Sequence, residues 1–153
     1  MKKIVLTGGG TAGHVTPNLA LLPYISKHFD EIYYVGSKGG IEQKLVKDKN
    51  IKLYSITTTK LVRTFNINNL KIPFILIKSV NEATKILKEI NPSVVFSKGG
   101  FVGLPVTMAA KKLKIPVVLH ESDLTLGLAN KLALPYADKL LTTFESTKNT
   151  SKR

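Results

Sequence analysis

The sequence predicts an α/β protein built on a doubly wound parallel sheet, and three observations carry that prediction. Apolar segments of about five residues alternate along the chain with segments of helical period, the pattern of buried strands and the crossovers that join them. The first apolar segment runs into Gly8-Gly9-Gly10-Thr11-Ala12-Gly13-His14 and then into a helix. The turns after the second, fourth and fifth strands are glycine-rich or ionisable as well. In a parallel sheet such turns gather on the carboxyl edge, where ligands bind.

The elements follow in order. Ile4–Thr7 is the first strand, and Thr16–His28 is mostly helix. Glu31–Val35 is a second strand, Ile41–Lys47 a short helix, and Ile51–Ile56 alternates as a third strand. Asn68–Ile90 holds a long helical stretch that is broken or started near Pro73. Ser93–Ser97 is a fourth strand, Leu104–Leu113 a helix, and Ile115–Leu119 a fifth strand. Leu124–Leu134 is a helix that Pro135 helps to stop, and Asp138–Thr142 is the last strand. Ser146–Arg153 is polar and patternless, which predicts a frayed tail after a domain spanning 1–145.

A chain of 153 residues fits one domain with a proper core and is too short for two full α/β domains. It starts directly with a strand-like segment and holds no apolar run long enough to cross a bilayer, so neither a signal peptide nor a transmembrane helix is expected. Cysteine is absent, which excludes disulfides and thiolate metal sites and fits the cytoplasm. The 23 Lys and Arg against 10 Asp and Glu give a formal charge of +13. That excess favours an anionic partner, unless it reflects a lysine-rich composition alone. Nucleic acid is not expected, because the charges form no arginine cluster and do not interleave with aromatic residues.

The glycine turn is the organising motif. A strand, a glycine-rich turn and a helix aim backbone N–H groups and a positive dipole end at an anion. Gly8-x-Gly10-x-x-Gly13 matches the dinucleotide fingerprint in form, but the second strand ends Val35-Gly36-Ser37-Lys38 without the acid that would hold a ribose. The Gly-Lys-Ser/Thr of a P-loop is missing too. His14 opens the helix, where added positive charge is costly, so its neutral form is favoured and it suits a general base. The bland alternative is a histidine that only bonds the neighbouring turn. His120 with Glu121 follows the end of the fifth strand, where it either orients a ligand or locks the loop. His28 reads as structural, and no His or carboxylate pair has metal-ligand spacing, so no metal or cofactor is expected. Finally, Lys71-Ile72-Pro73-Phe74-Ile75-Leu76-Ile77-Lys78-Ser79-Val80 is apolar around more of a helix than a core stripe needs. It is either a monotopic membrane patch, with Lys71, Ile72, Phe74, Ile77, Lys78 and Val80 facing anionic lipid, or a helix covered by another part of the protein.

Four segments in register resemble the MurG family of peptidoglycan glycosyltransferases. They are Gly9-Gly10-Thr11-Ala12-Gly13-His14-Val15-x-Pro17, Lys98-Gly99-Gly100-Phe101-Val102-Gly103-Leu104-Pro105, Ile115–Asp123 and Gly127-Leu128-Ala129-Asn130-Lys131. The resemblance implies a Rossmann-like domain, the N-terminal half of a GT-B fold. It implies transfer of N-acetylglucosamine from UDP-N-acetylglucosamine to lipid I, the undecaprenyl-pyrophosphoryl-muramyl-pentapeptide, giving lipid II. The setting it implies is peripheral, on the anionic cytoplasmic face of the cell membrane.

Particular roles follow from the same resemblance. His14 becomes the base on the acceptor hydroxyl. Gly10, Thr11, Ala12 and Gly13 approach the donor, Gly99 and Gly100 face the acceptor pyrophosphate, and His120, Glu121, Asp123 and Asn130 line the cleft. The chain departs from the family at Ala12, where many members have Gly, and at Ser122-Asp123, where some have Gln-Asn. The resemblance also implies that the C-terminal donor domain is missing, or is supplied by a partner chain. The rival reading is a non-catalytic membrane-anchoring, acceptor-binding subunit of a split glycosyltransferase, and a third is a nucleotide-binding regulatory domain.

Overall fold

The computed structural model describes residues 1–59 and 70–148. Six parallel strands form one sheet in the order β3-β2-β1-β4-β5-β6. They are β1 (Lys3–Thr7), β2 (Glu31–Ser37), β3 (Lys52–Ile56), β4 (Val94–Ser97), β5 (Val117–Glu121) and β6 (Lys139–Thr142). The helices are α1 (Ala12–Ala20), α2 (Leu22–Ile25), α3 (Glu42–Val46), α4 (Ile72–Ile90), α5 (Gly103–Lys112) and α6 (Leu128–Ala133), with a 3-10 turn at Leu134–Tyr136. The order reverses between β1 and β4, and at such a reversal the crossovers leave on opposite faces and open a crevice at the carboxyl edge.

Strand alternation sorts the core into two layers. Val5, Tyr33, Val35 and Val95 face one side, with Ala83, Leu87 and Ile90 of α4 and Leu104, Val106, Ala109 and Ala110 of α5. Ile4, Leu6 and Tyr34 face the other, with Val15 of α1 and Val46 of α3. The central strands are therefore apolar on both faces, as the sequence pattern requires.

Several boundaries differ from the sequence expectation for identifiable reasons. The first helix begins at Ala12 rather than Thr16, so His14 lies inside its first turn. It then splits at Leu21 into a second short helix that carries Pro23 near its start, because proline has no N–H to continue the ladder. Of the two options at Pro73, the helix starts there, with the proline in its first turn, and ends at Asn91 in the left-handed conformation. Asn68 and Asn69, also expected in that helix, lie outside the described residues.

The expected helix at Leu124–Leu134 is reduced to Leu128–Ala133. The preceding loop has other partners: the Lys148 N–H donates to the Leu124 carbonyl at 2.8 Å and the Thr147 hydroxyl to that of Asp123 at 3.2 Å. The same contacts correct the frayed tail. Thr147 is buried and Lys148 bridges Thr125, so the chain through Lys148 packs back on the domain. Residues 149–153 lie outside the described residues.

The apolar-basic segment divides between an outward and an inward side of α4. Phe74 is 75% exposed and Ile77 61%, beside Leu70 at 70%, and Lys71 and Lys78 are exposed with them. Val80, expected on the same outward patch, instead packs half-buried against the core with Leu76, and Ile72 is half-buried. Their positions on the helix turn them inward. Among the described residues no helix is long and apolar enough to cross a membrane. The division predicts opposite responses on one helix. Leu87→Ala should cost about 2–5 kcal/mol in urea unfolding, whereas Phe74→Ala should stay within about 0.5 kcal/mol.

Candidate active site

The turns after β1 and β4 meet at the order reversal, and they fit only because neither carries side chains there. A Cβ at Gly100 would lie 2.2 Å from the Gly9 carbonyl oxygen, and one at Gly10 would lie 2.2 Å from the Phe101 ring. Gly10 and Gly100 have φ of +87° and +74°, a region that side chains disfavour. Beneath this contact the Tyr34 hydroxyl donates to the Gly8 carbonyl at 2.6 Å. The Asn18 amide donates to the Thr7 carbonyl at 3.1 Å and to the Tyr34 hydroxyl oxygen at 3.2 Å. Burial pushes the Tyr34 hydroxyl pKa well up, so it stays a donor.

Thr11 caps α1 in extended conformation, and Thr11, Ala12 and Gly13 are exposed at the crevice. His14 is half-buried behind them. Its Nδ1 lies 2.9 Å from the Thr11 hydroxyl. Where Nδ1–H donates to that oxygen, Nε2 keeps its lone pair. Burial lowers the His14 pKa most; Glu121 and Asp123 raise it and Lys98 lowers it, and the net direction is down. The ring is thus neutral near pH 7, and burial is the main cause.

His120 and Glu121 lie inside β5, which runs two residues beyond the expected strand end. Glu121 resolves the choice between ligand and lock for itself. One carboxylate oxygen accepts the N–H groups of Ser122 and Asp123 at 2.8 and 3.1 Å. The other accepts the Gly127 N–H at 3.0 Å and the Asn130 amide at 2.9 Å. Burial raises its pKa, but these four bonds outweigh that and hold it below the usual carboxylate range. Expected to line the cleft, Glu121 is buried and bound to its own loop. Asn130 is likewise buried, with its second amide bond on the His120 carbonyl. Its unpartnered Oδ1 stands where a Cβ on Gly99 would come within 2.9 Å. Asp123 is exposed beside them.

Two charged residues were missed as site residues. Lys98 stands in the quoted β4 motif, yet nothing in the pattern marks it as buried. Its ammonium lies 2.6 Å from Nδ1 of His120 and bonds the Ser122 hydroxyl. Glu42 is the second, because the second strand itself ends without an acid. It reaches that place from α3, where it is fully buried and accepts the Ser37 N–H and hydroxyl. Cβ atoms on Gly9, Gly36 or Gly40 would collide with it. The available signal was the turn Gly36-Ser37-Lys38-Gly39-Gly40, whose glycines leave room for a returning side chain. Beside it a cavity of about 340 Å³ opens at the carboxyl edge between Gly10, Lys38, Gly39, Thr58, Thr59 and Phe101.

A glycine-walled crevice with a neutral histidine, a buried lysine and a helix N-terminus suits an anionic substrate that must lose a proton. The sequence model of the glycosyltransferase family 28 N-terminal domain matches residues 4–142. The chain belongs to glycosyltransferase family 28. A Clostridium botulinum UDP-N-acetylglucosamine–N-acetylmuramyl-(pentapeptide) pyrophosphoryl-undecaprenol N-acetylglucosamine transferase is 54% identical over 142 residues, covering 93% of this chain and 40% of the relative. The protein of the same description from Clostridium perfringens is 56% identical, with the same coverage. The crystal structure of Acinetobacter baumannii MurG superposes with a TM-score of 0.84 at 27% identity, covering 99% of this chain and 44% of that one. This family 28 domain therefore spans about two fifths of the curated relatives it matches.

The four bonds to Glu121 set a pH dependence. Its folded pKa is depressed, so the stability it contributes is complete above the ordinary carboxylate range and is lost as pH falls through the folded value. Glu121→Gln keeps the shape but cannot accept all four bonds. Its thermal midpoint should lie below wild type at pH 7, with the gap closing as the pH is lowered below the ordinary carboxylate range.

Proposed function

We propose that this domain is the acceptor-binding half of an inverting transferase that moves N-acetylglucosamine from UDP-N-acetylglucosamine to lipid I. The observation that carries the reading is the neutral His14 beside two interlocked glycine turns, in a chain whose close relatives carry that transferase's name. The acceptor hydroxyl attacks the anomeric carbon of the donor, its proton passes to Nε2 of His14, and UDP leaves with the bonding electron pair. The N–H groups of the turns around Gly10–Gly13 and Gly99–Gly100 hold phosphate charge by fixed dipoles, which need no reorganisation during reaction. Glu121 and Asn130 serve by shape: they fix the loop that presents His120 and Asp123. The donor nucleotide is held chiefly by a C-terminal domain of the kind the longer relatives have room for.

The exposed face of α4 supports a place for this chemistry. Leu70, Phe74 and Ile77 offer apolar contact, and Lys71 and Lys78 offer charge to an anionic bilayer, so the domain rests on the cytoplasmic face of the cell membrane.

Binding of this chain to anionic vesicles with and without lipid I, beside a titration with UDP-N-acetylglucosamine, tests the assignment. Lipid I should tighten vesicle binding, the sugar nucleotide should bind poorly, and Phe74→Glu with Ile77→Glu should abolish vesicle binding. Tight nucleotide binding with no lipid I preference would refute it. The base role has its own check in a chimera that joins this domain to the C-terminal domain of the Clostridium perfringens relative. There His14→Ala should lower kcat by about 10²–10⁴-fold while acceptor affinity changes little. In the unsubstituted chimera activity should persist below the ordinary imidazole range and fall only as His14 protonates.

A further inference from the structure

Lys98 is only 4% exposed, and a lysine is seldom buried so deeply without a purpose for its charge. Its backbone is tied to the first glycine turn: its N–H donates to the Thr7 carbonyl at 3.0 Å, and its Cβ lies 3.1 Å from where a Gly8 side chain would begin. The side chain crosses to β5, where the ammonium meets Nδ1 of His120 at 2.6 Å and the Ser122 hydroxyl. An ammonium has three donors and no acceptor. In that pairing Nδ1 must be the acceptor, so the ring proton sits on Nε2.

We propose that Lys98 is a positioning residue that fixes His120 as a neutral ring with its proton on Nε2, a donor for a phosphoryl oxygen of the substrate at the glycine turns. The inference rests on the acceptor reading above and adds to it a named donor and the group that sets its tautomer.

The surrounding charges are consistent with this arrangement. Burial lowers the pKa of Lys98, and the carboxylates of Glu121 and Asp123 raise it. Burial and the ammonium both lower the pKa of His120 against the pull of Glu121. His14, across the crevice on α1, is also lowered by Lys98. An imidazolium at His120 would set two cations 2.6 Å apart. The neutral Nε2–H donor avoids that and leaves the positive charge behind it for an incoming anion. Ser122 gives the ammonium its second tether.

Side-chain nitrogen shifts of the three histidines in labelled wild-type chain decide the tautomer directly. His120 should show an unprotonated Nδ1 and a protonated Nε2, and should titrate below the ordinary imidazole range. Lys98→Met should abolish the tautomer preference, raise the titration midpoint, and weaken binding of inorganic pyrophosphate by about tenfold. Ser122→Ala removes one tether and should give the same changes in smaller measure, which preserves the test if Lys98→Met fails to fold. A wild-type His120 protonated on Nδ1 overturns the proposal. So do His120 spectra unchanged in both variants, or pyrophosphate affinity unchanged when the tautomer is lost. A wild-type chain with the expected tautomer but no affinity for pyrophosphate supports the Lys98–His120 pairing and refutes the acceptor reading instead.

Discussion

The contact between the turns after β1 and β4 is the constraint on which the rest of the site depends. Two backbones approach until the Gly9 carbonyl occupies the space of a Gly100 side chain, and the Phe101 ring occupies that of Gly10. The candidate site residues hang from this junction. α1 leaves it with His14 in its first turn, Lys98 enters it from β4, and the β5 loop closes it from the side. Side chains at Gly10 or Gly100 would spread the turns and move all three together.

Buried polar groups hold the junction from below and beside. Tyr34 bonds the Gly8 carbonyl, Asn18 gives the Thr7 carbonyl a second donor beside the Lys98 N–H, and the Thr7 hydroxyl bonds the Val35 carbonyl. Glu42 secures the end of β2, and Glu121 and Asn130 organise the loop after β5. Glu121 accepts three backbone N–H groups and the Asn130 amide, and each bond replaces hydration lost on burial. The domain thus spends two of its few acids on loop geometry and keeps a buried cation, Lys98, for the crevice. The wider excess of positive charge is spread over exposed lysines, and two of them border the apolar face of α4.

Much of the fold was legible because it rests on local rules. Strand length, apolar runs and the prolines near helix ends are short-range signals, and the sheet they imply is the one observed. Local rules fail where long-range bonds override local preference. Leu124–Gly127 has helical pattern, but Glu121 and Lys148 claim its backbone. Val80 belongs to an apolar run, but its place on the helix turns it toward the core.

By itself the sequence determined the parallel α/β class, the glycine turns, His14 at a helix start and the family likeness, since each is written in residue type and spacing along the chain. Only the tertiary structure decided which ionisable groups meet. Glu42 returns to the glycine turn from the next helix, Lys98 reaches His120 across 22 positions, and Glu121 turns inward to its own loop. Those pairings depend on strand order and on the depth of each turn. A spacing rule describes one segment at a time, so it carries no information about either.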